Sequence, residues 1–146
     1  MVDDETWPSE AALASLVRRF QNATLPKSEW THAAHLAVGA WHVAQYGPVE
    51  ALKRLRAAIV SLNEAHGTAN TDTSGYHETI TCAYVMLFAA LAQDGSAAAV
   101  QAILASPLAA REALLGYYSR ERLMSASARR KWVEPDLQPL PAIVSL

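Results

Sequence analysis

The 146-residue sequence has little cysteine, little charge and no long apolar run. Cys82 is the single cysteine, which excludes an intramolecular disulfide. Twelve Lys plus Arg against fourteen Asp plus Glu give a formal net charge of −2, too small a field to attract nucleic acid or an anionic membrane. The longest apolar run, residues 83–92, is half the length of about twenty that a membrane crossing needs. With no charged-then-apolar leader, these features predict a cytoplasmic protein without nucleic-acid or membrane partners.

Several motifs of catalysis and cofactor binding are also missing. The chain has no Gly-x-Ser-x-Gly nucleophile motif, no phosphate-binding glycine loop and no dinucleotide fingerprint. These absences argue against a nucleotide cofactor. Cys82 lies inside an apolar helical pattern rather than at a helix N-terminus, which would lower its pKa, so we expect a buried, inert thiol.

The residues that are abundant favour helices. Alanine occupies 29 positions, hydrophobic residues make up 51% of the chain, and no alternating segment is bounded by hairpin dipeptides. We expect a single all-α domain over residues 1–146, a bundle of about five or six helices. Its helical core covers residues 9–133. Residues 134–146 begin with three prolines in eight positions and are expected to form an extended tail that packs across the bundle.

Apolar periodicity and capping residues give the expected boundaries. Ser9 and Ser28 are candidate helix caps, and Gly47-Pro48 and Gly67 are candidate stops. The polar segment 67–75 is expected to be a loop. The predicted helices span residues 9–22, 28–46, 48–64, 76–93, 96–104 and 106–118, and residues 119–132 form one or two short turns.

The five histidines are concentrated rather than scattered. His32, His35 and His42 share the second predicted helix, and Glu29-x-x-His32-x-x-His35 has the spacing that brings side chains to one face. His77 begins the fourth predicted helix. Neutral imidazoles can share a metal ion without charge repulsion, and an open metal site needs ligands from more than one helix.

This pattern predicts a metal site between the two helix starts. We assign His32, His35 and His77 as ligands, Glu29 as a fourth ligand or a group that orients one, and Glu78 as the general acid or base. Mixed nitrogen and oxygen ligands suit zinc, iron, manganese or copper. His42 is expected to pack or to be solvated, and the His66 side chain to bond the last carbonyls of its helix.

A local excess of positive charge follows in residues 111–131. It is either a solvated helical face or the source of one arginine, Arg120 or Arg129, that holds a substrate carboxylate or phosphate. The hydroxyl of Tyr84 or Tyr117 is placed beside that arginine as a further catalytic group.

Two phrases of the sequence carry a resemblance. Residues 29–36, Glu-Trp-Thr-His-Ala-Ala-His-Leu, and residues 74–81, Ser-Gly-Tyr-His-Glu-Thr-Ile-Thr, resemble those of a family of small bacterial all-helical proteins. The likeness extends to residues 117–140. It implies that the two phrases belong together and carries over to His32, His35, His77 and Glu78.

These observations lead to one main functional hypothesis with a variant, and to two alternatives. The main hypothesis is a small metal-dependent enzyme that acts on a small polar molecule by hydrolysis or lyase chemistry, with metal-assisted oxidation as a variant. The first alternative is a noncatalytic bundle that binds a small molecule or a partner helix, its histidines satisfied by hydrogen bonds. Another is a homodimer packed through the small-residue faces of residues 97–105 and 109–113.

Overall fold

A computed structural model describes residues 9–91 and 96–141 of the chain, and helices are the only regular structure in these ranges. The all-α class predicted from the sequence is therefore confirmed. The α-helices are α1 (Glu10–Gln21), α2 (His32–Ala65), α3 (Glu78–Leu91), α4 (Ala97–Leu104), α5 (Arg120–Leu123) and α6 (Ala126–Arg130). Shorter 3-10 helices span Lys27–Glu29, Pro107–Ala109 and Ala113–Gly116.

Helix α1 follows its sequence pattern closely. The Ser9 hydroxyl accepts a hydrogen bond from the Ala12 N–H at 3.1 Å, as an N-cap does. Leu13, Leu16, Val17 and Phe20 are all buried against the rest of the bundle. The predicted start, end and inward face of this helix are confirmed.

Helix α2 differs from the prediction at its start and in its middle. Pro26 precedes a 3-10 turn, and the helix begins at His32 with Thr31 as its cap, rather than at Ser28. The predicted break at Gly47-Pro48 is present as a kink without a loop. Gly47 has φ 78° and ψ 164°, which glycine adopts without steric cost, and Pro48 resumes the helix at once.

Helix α3 lies between two apolar clusters. Val85 and Phe88 belong to a core shared with α1, α2 and α4, whereas Ala83 and Leu87 pack with buried residues of the C-terminal part, Leu114, Tyr118, Leu123 and Leu140. Because both sides are covered, the helix is apolar nearly all round. This explains why Glu78 is the only charged residue of this helix.

The helix predicted over residues 106–118 is wrong. The chain instead forms the two short 3-10 helices Pro107–Ala109 and Ala113–Gly116, separated where Ala110 takes an extended conformation with ψ 139°. Tertiary packing here overrides the helix propensity of an alanine-rich segment, since the interruption lets Leu114 enter the core. The short turns expected over residues 119–132 are confirmed as α5 and α6.

The C-terminal tail packs on the bundle as far as the structure describes it. Residues 134–141 contain no helix or strand, Leu140 is buried, and the Leu137 N–H donates to the Tyr117 carbonyl at 2.9 Å. Residues 142–146 of the predicted tail lie outside the described residues.

Candidate functional site

A cavity of about 640 Å³ opens between α2, α3 and the segment 111–124. Most of its lining is apolar, from residues such as Leu55, Ile59, Val85 and Leu115. A smaller group of polar side chains also faces it: Thr31, His32, His35, Thr81, Tyr84, Arg111, Glu112 and Arg120. Apolar walls with a few polar groups are typical of small-molecule sites.

His35 presents one free ring nitrogen to this cavity. Its Nδ1–H donates to the Thr31 carbonyl at 2.7 Å, which leaves Nε2 as the lone-pair nitrogen. The ring stacks on Trp30 with a centroid distance of 3.6 Å, which holds it in place. The side chain is exposed, yet the protein packed around its ring desolvates it in part and lowers the pKa of His35 to about 4. His35 is therefore a neutral acceptor at physiological pH.

His32 is the second imidazole of the cavity, one turn earlier on α2. Its Nε2 is buried and forms no hydrogen bond of normal geometry within the described residues, although the backbone of Ala109 and Ala110 lies near enough to oppose the lowering of the ring's pKa. Partial burial lowers the pKa of His32, and the positive charge of Arg111 adds to this effect. A buried polar atom without a partner is unusual in a folded protein, so this nitrogen marks a place where a ligand or water would gain a hydrogen bond.

Two aromatic rings of α3 and one glycine of α2 form another part of the wall. Tyr84 and Phe88 on α3 stack with centroids 5.7 Å apart. Gly39 on α2 faces Phe88, and a Cβ atom at Gly39 would lie only 2.9 Å from Phe88 Cε2. Glycine at this position thus permits the close approach of α2 and α3 behind the cavity.

The mouth of the cavity carries three charged side chains. Arg111 and Glu112 precede the 3-10 helix Ala113–Gly116, and Arg120 begins α5. All three are exposed, and none forms an ion pair with another described residue. Their excess of one positive charge at an apolar cavity distinguishes this part of the surface.

His77, predicted as a metal ligand, lies outside the cavity lining. It is buried, its Nε2–H donates to the Leu123 carbonyl at 2.7 Å, and its Nδ1 accepts the Ile80 N–H at 3.1 Å. The side chain thus caps the first turn of α3 and ties it to α5. With both ring nitrogens occupied, no lone pair is left for a metal.

Glu78, predicted as the acid or base, is also directed elsewhere. Arg56 binds its carboxylate with two hydrogen bonds of 3.0 and 2.5 Å, and the Tyr76 hydroxyl donates at 2.7 Å. Burial alone would raise the pKa of Glu78, but these hydrogen bonds outweigh it and the pKa is lowered. The group is a satisfied carboxylate between α2 and α3.

Glu29, the remaining candidate ligand, pairs with α1. Because α2 begins three residues later, Glu29 is not on the helix that carries His32, and its carboxylate accepts from Arg19 at 2.9 Å. Within residues 9–91 and 96–141, no three His, Cys, Asp or Glu side chains converge as a metal-binding group.

The remaining singled-out residues have structural partners. His42 is buried and donates from Nδ1 to the Val38 carbonyl, and the His66 side chain bonds the Leu25 carbonyl rather than the end of its own helix. Arg129 donates to the Gly75 carbonyl. The thiol of Cys82 is buried, which raises its pKa to about 12, as expected for an inert thiol.

The structure thus brings together His32, His35, Tyr84 and Arg120 among the predicted site residues, and separates Glu29, His77 and Glu78 from them. The two resemblance phrases do meet at the cavity, but the second contributes Ile80 and Thr81. Sequence reasoning missed Trp30, Gly39 and Glu112 and did not select Arg111. The position of Gly39 inside an otherwise apolar helix was the one available signal.

No protein-family model, curated protein or solved structure matches this chain. Among the described helices, none combines the length and the apolar character needed to cross a bilayer. The cavity is therefore the feature of this chain that bears on its function.

Proposed function

We propose that the protein binds a small organic molecule in the cavity between α2, α3 and the segment 111–124. The observation that carries this proposal is the combination of about 640 Å³ of apolar-walled space with an unpartnered, buried His32 nitrogen. Cavities of 300–1,000 Å³ with a few placed polar groups commonly enclose most of a bound molecule. This is the small-molecule alternative among the hypotheses drawn from the sequence.

The polar side chains that line the cavity define where the polar groups of a bound molecule would lie. The His35 Nε2 lone pair accepts a hydrogen bond, and the Tyr84 hydroxyl is available on α3. The Thr81 hydroxyl already donates to the His77 carbonyl at 2.9 Å, so it offers the ligand only an acceptor. The stacked Trp30 and His35 rings offer a flat surface for a planar group. A bound molecule with an apolar body and one polar end satisfies both parts of the cavity.

The test is ligand-observed NMR with a library of small fragments, using two neighbouring variants of α2. Ile59→Trp places an indole inside the cavity, whereas Val60 does not line it, so Val60→Trp adds the same group nearby. We expect fragments that bind the wild type and Val60→Trp but not Ile59→Trp. Absence of any bound fragment, or equal binding to both variants, would refute the proposal.

A second candidate is a metal-dependent hydrolase or lyase, or a metal-assisted oxidase, at the same place. The observation in its favour is the pair of neutral imidazoles, His32 and His35, each with an Nε2 atom that lacks a hydrogen-bond partner among the described residues. Because a site usually has three protein ligands, the bound molecule would have to complete the coordination. Tyr84 and Arg120 would then contact the substrate.

Elemental analysis of chelator-free protein tests this candidate. Near-stoichiometric zinc, iron, manganese or copper that is lost in His32→Ala and His35→Ala but kept in His77→Ala would support it. Metal-free protein that takes up none of these ions would exclude it. The fragment experiment tests small-molecule binding whether or not the elemental analysis finds a metal.

A further inference from the structure

We infer that the molecule bound in the cavity is a carboxylic acid with an apolar body, whose carboxylate is held at the mouth by Arg111 and Arg120. This inference rests on the proposed small-molecule binding and specifies the class of ligand. It is carried by the charges at the mouth together with the composition of the walls.

The two arginines at the mouth differ from most others in the described ranges. Six arginines donate to a carboxylate or to a backbone carbonyl: Arg19, Arg54, Arg56, Arg122, Arg129 and Arg130. Arg111 and Arg120 have no such partner among the described residues, yet both line the cavity. A guanidinium presents a planar fork of donors that matches a carboxylate, so two unpaired forks at one opening favour an anion.

The charged side chains at the mouth of the cavity also add up to a net positive charge, which favours an anionic ligand. Glu112 is the only carboxylate that lines the described cavity, against two guanidinium groups. Arg111 lies close enough to both imidazoles for its charge to lower the pKa of His32 and His35. Since both rings are neutral, the positive charge beside them comes from Arg111. A ligand carboxylate there would be attracted by the arginines, with one opposing charge from Glu112.

The apolar side chains of the cavity walls indicate that the rest of the ligand is apolar. Beyond the mouth, the lining consists mainly of aliphatic and aromatic side chains of α2 and α3, including Leu55, Ile59, Val85 and Phe88. A second charge or a string of hydroxyl groups at that depth would lose its water without finding partners. A monocarboxylate with an aryl or alkyl chain therefore fits, whereas a polyanion or a sugar does not.

The experiment compares acids with alcohols of the same skeleton. Isothermal titration calorimetry at pH 7.5 would measure 4-phenylbutyrate against 4-phenylbutanol, and decanoate against decanol, for the wild type. We expect each acid to bind roughly tenfold more tightly than its alcohol, the size of effect given by one charge-assisted hydrogen bond. Arg111→Gln and Arg120→Gln should each remove most of this difference and leave alcohol binding unchanged.

Arg130→Gln is the matched control, because Arg130 pairs with Asp72 and does not line the cavity. It should retain the full preference for the acid. Equal affinity for acid and alcohol, or a preference that survives in both Arg111→Gln and Arg120→Gln, would overturn the inference while small-molecule binding stands. If neither acid binds but fragments bind the wild type and not Ile59→Trp, the inference again fails alone. If no compound of either experiment binds, the proposed function fails with it.

Discussion

Replacing Gly39 with alanine tests whether α2 and α3 pack as closely as the structure shows. The added methyl carbon would lie 2.9 Å from Phe88 Cε2, well inside van der Waals contact, and 3.5 Å from Cδ2, an ordinary contact distance. Phe88 is 1% exposed and stacks on Tyr84, so its ring has little freedom to withdraw. The substitution therefore forces the ring or the helix to move.

The expected size of the effect is the difference of two opposing terms. Overpacking of a filled core costs about 1–3 kcal/mol, whereas alanine is favoured over glycine inside a helix by about 1 kcal/mol. We expect Gly39→Ala to lower the free energy of unfolding by up to about 2 kcal/mol, with a central value of about 1 kcal/mol. For a chain of this size, each kcal/mol corresponds to roughly 2–4 °C in Tm.

Urea denaturation of a double-mutant cycle with Phe88→Leu separates the two terms. Leucine lacks the ring edge that meets the new methyl group, so Gly39→Ala in the Phe88→Leu background should be neutral or stabilising by up to about 1 kcal/mol. The sign of the alanine effect thus changes between the two backgrounds. If Gly39→Ala stabilises the otherwise unaltered protein, the close approach of the helices is wrong.

Three further outcomes follow from individual side chains. His77→Ala should lower the free energy of unfolding, measured in urea, by about 2–4 kcal/mol, since it removes a helix cap and leaves the buried Leu123 carbonyl unpaired. His77→Asn restores a cap and should lower the free energy of unfolding by less. Equal losses in the two variants would contradict the capping role. Burial lowers the pKa of His42 below its ordinary 6.5 in the folded protein, so the unfolded chain binds more protons below that pH. The urea midpoint should therefore fall as the pH drops from 6.5 toward 5 and stay level above pH 7. His42→Leu should show a shallower fall, and an unchanged slope would exclude His42 as a contributor. Cys82 should react with Ellman's reagent at pH 8 only after unfolding, because its pKa is near 12; rapid labelling of the native protein would show that the thiol is accessible.

The sequence predicts those parts of the fold that depend on local pattern. The apolar spacing of α1 and its cap at Ser9 need only neighbours within the helix, and both predictions hold. The segment 106–118 is different, because Leu114 is drawn into a core made by residues distant in sequence. Helix propensity is a local property and does not include that contact. The sequence therefore predicted one helix where the structure has two short 3-10 helices.

The candidate site shows the same contrast between what local spacing determines and what depends on partners distant in sequence. His32 and His35 share one turn, so their proximity follows from spacing, and Tyr84 and Arg120 also reach the cavity. The roles of His77 and Glu78 depend on partners 46 and 22 residues away, Leu123 and Arg56. Sequence reasoning identified these two polar residues as important but had no means of finding the carbonyl and the guanidinium that occupy them.

The position of the segment 111–124 has a consequence for synthesis of the protein. One side of the cavity comes from residues 30–59 and 80–88, and the other from this later segment, which also covers the second face of α3. At 5–20 residues per second, a ribosome takes about 2–7 s to pass from Phe88 to Met124. Because Met124 leaves the ribosome later than Phe88, Ala83, Leu87 and the cavity walls lack cover until residues 111–124 have also emerged, and this apolar surface is meanwhile open to chaperones and to other nascent chains.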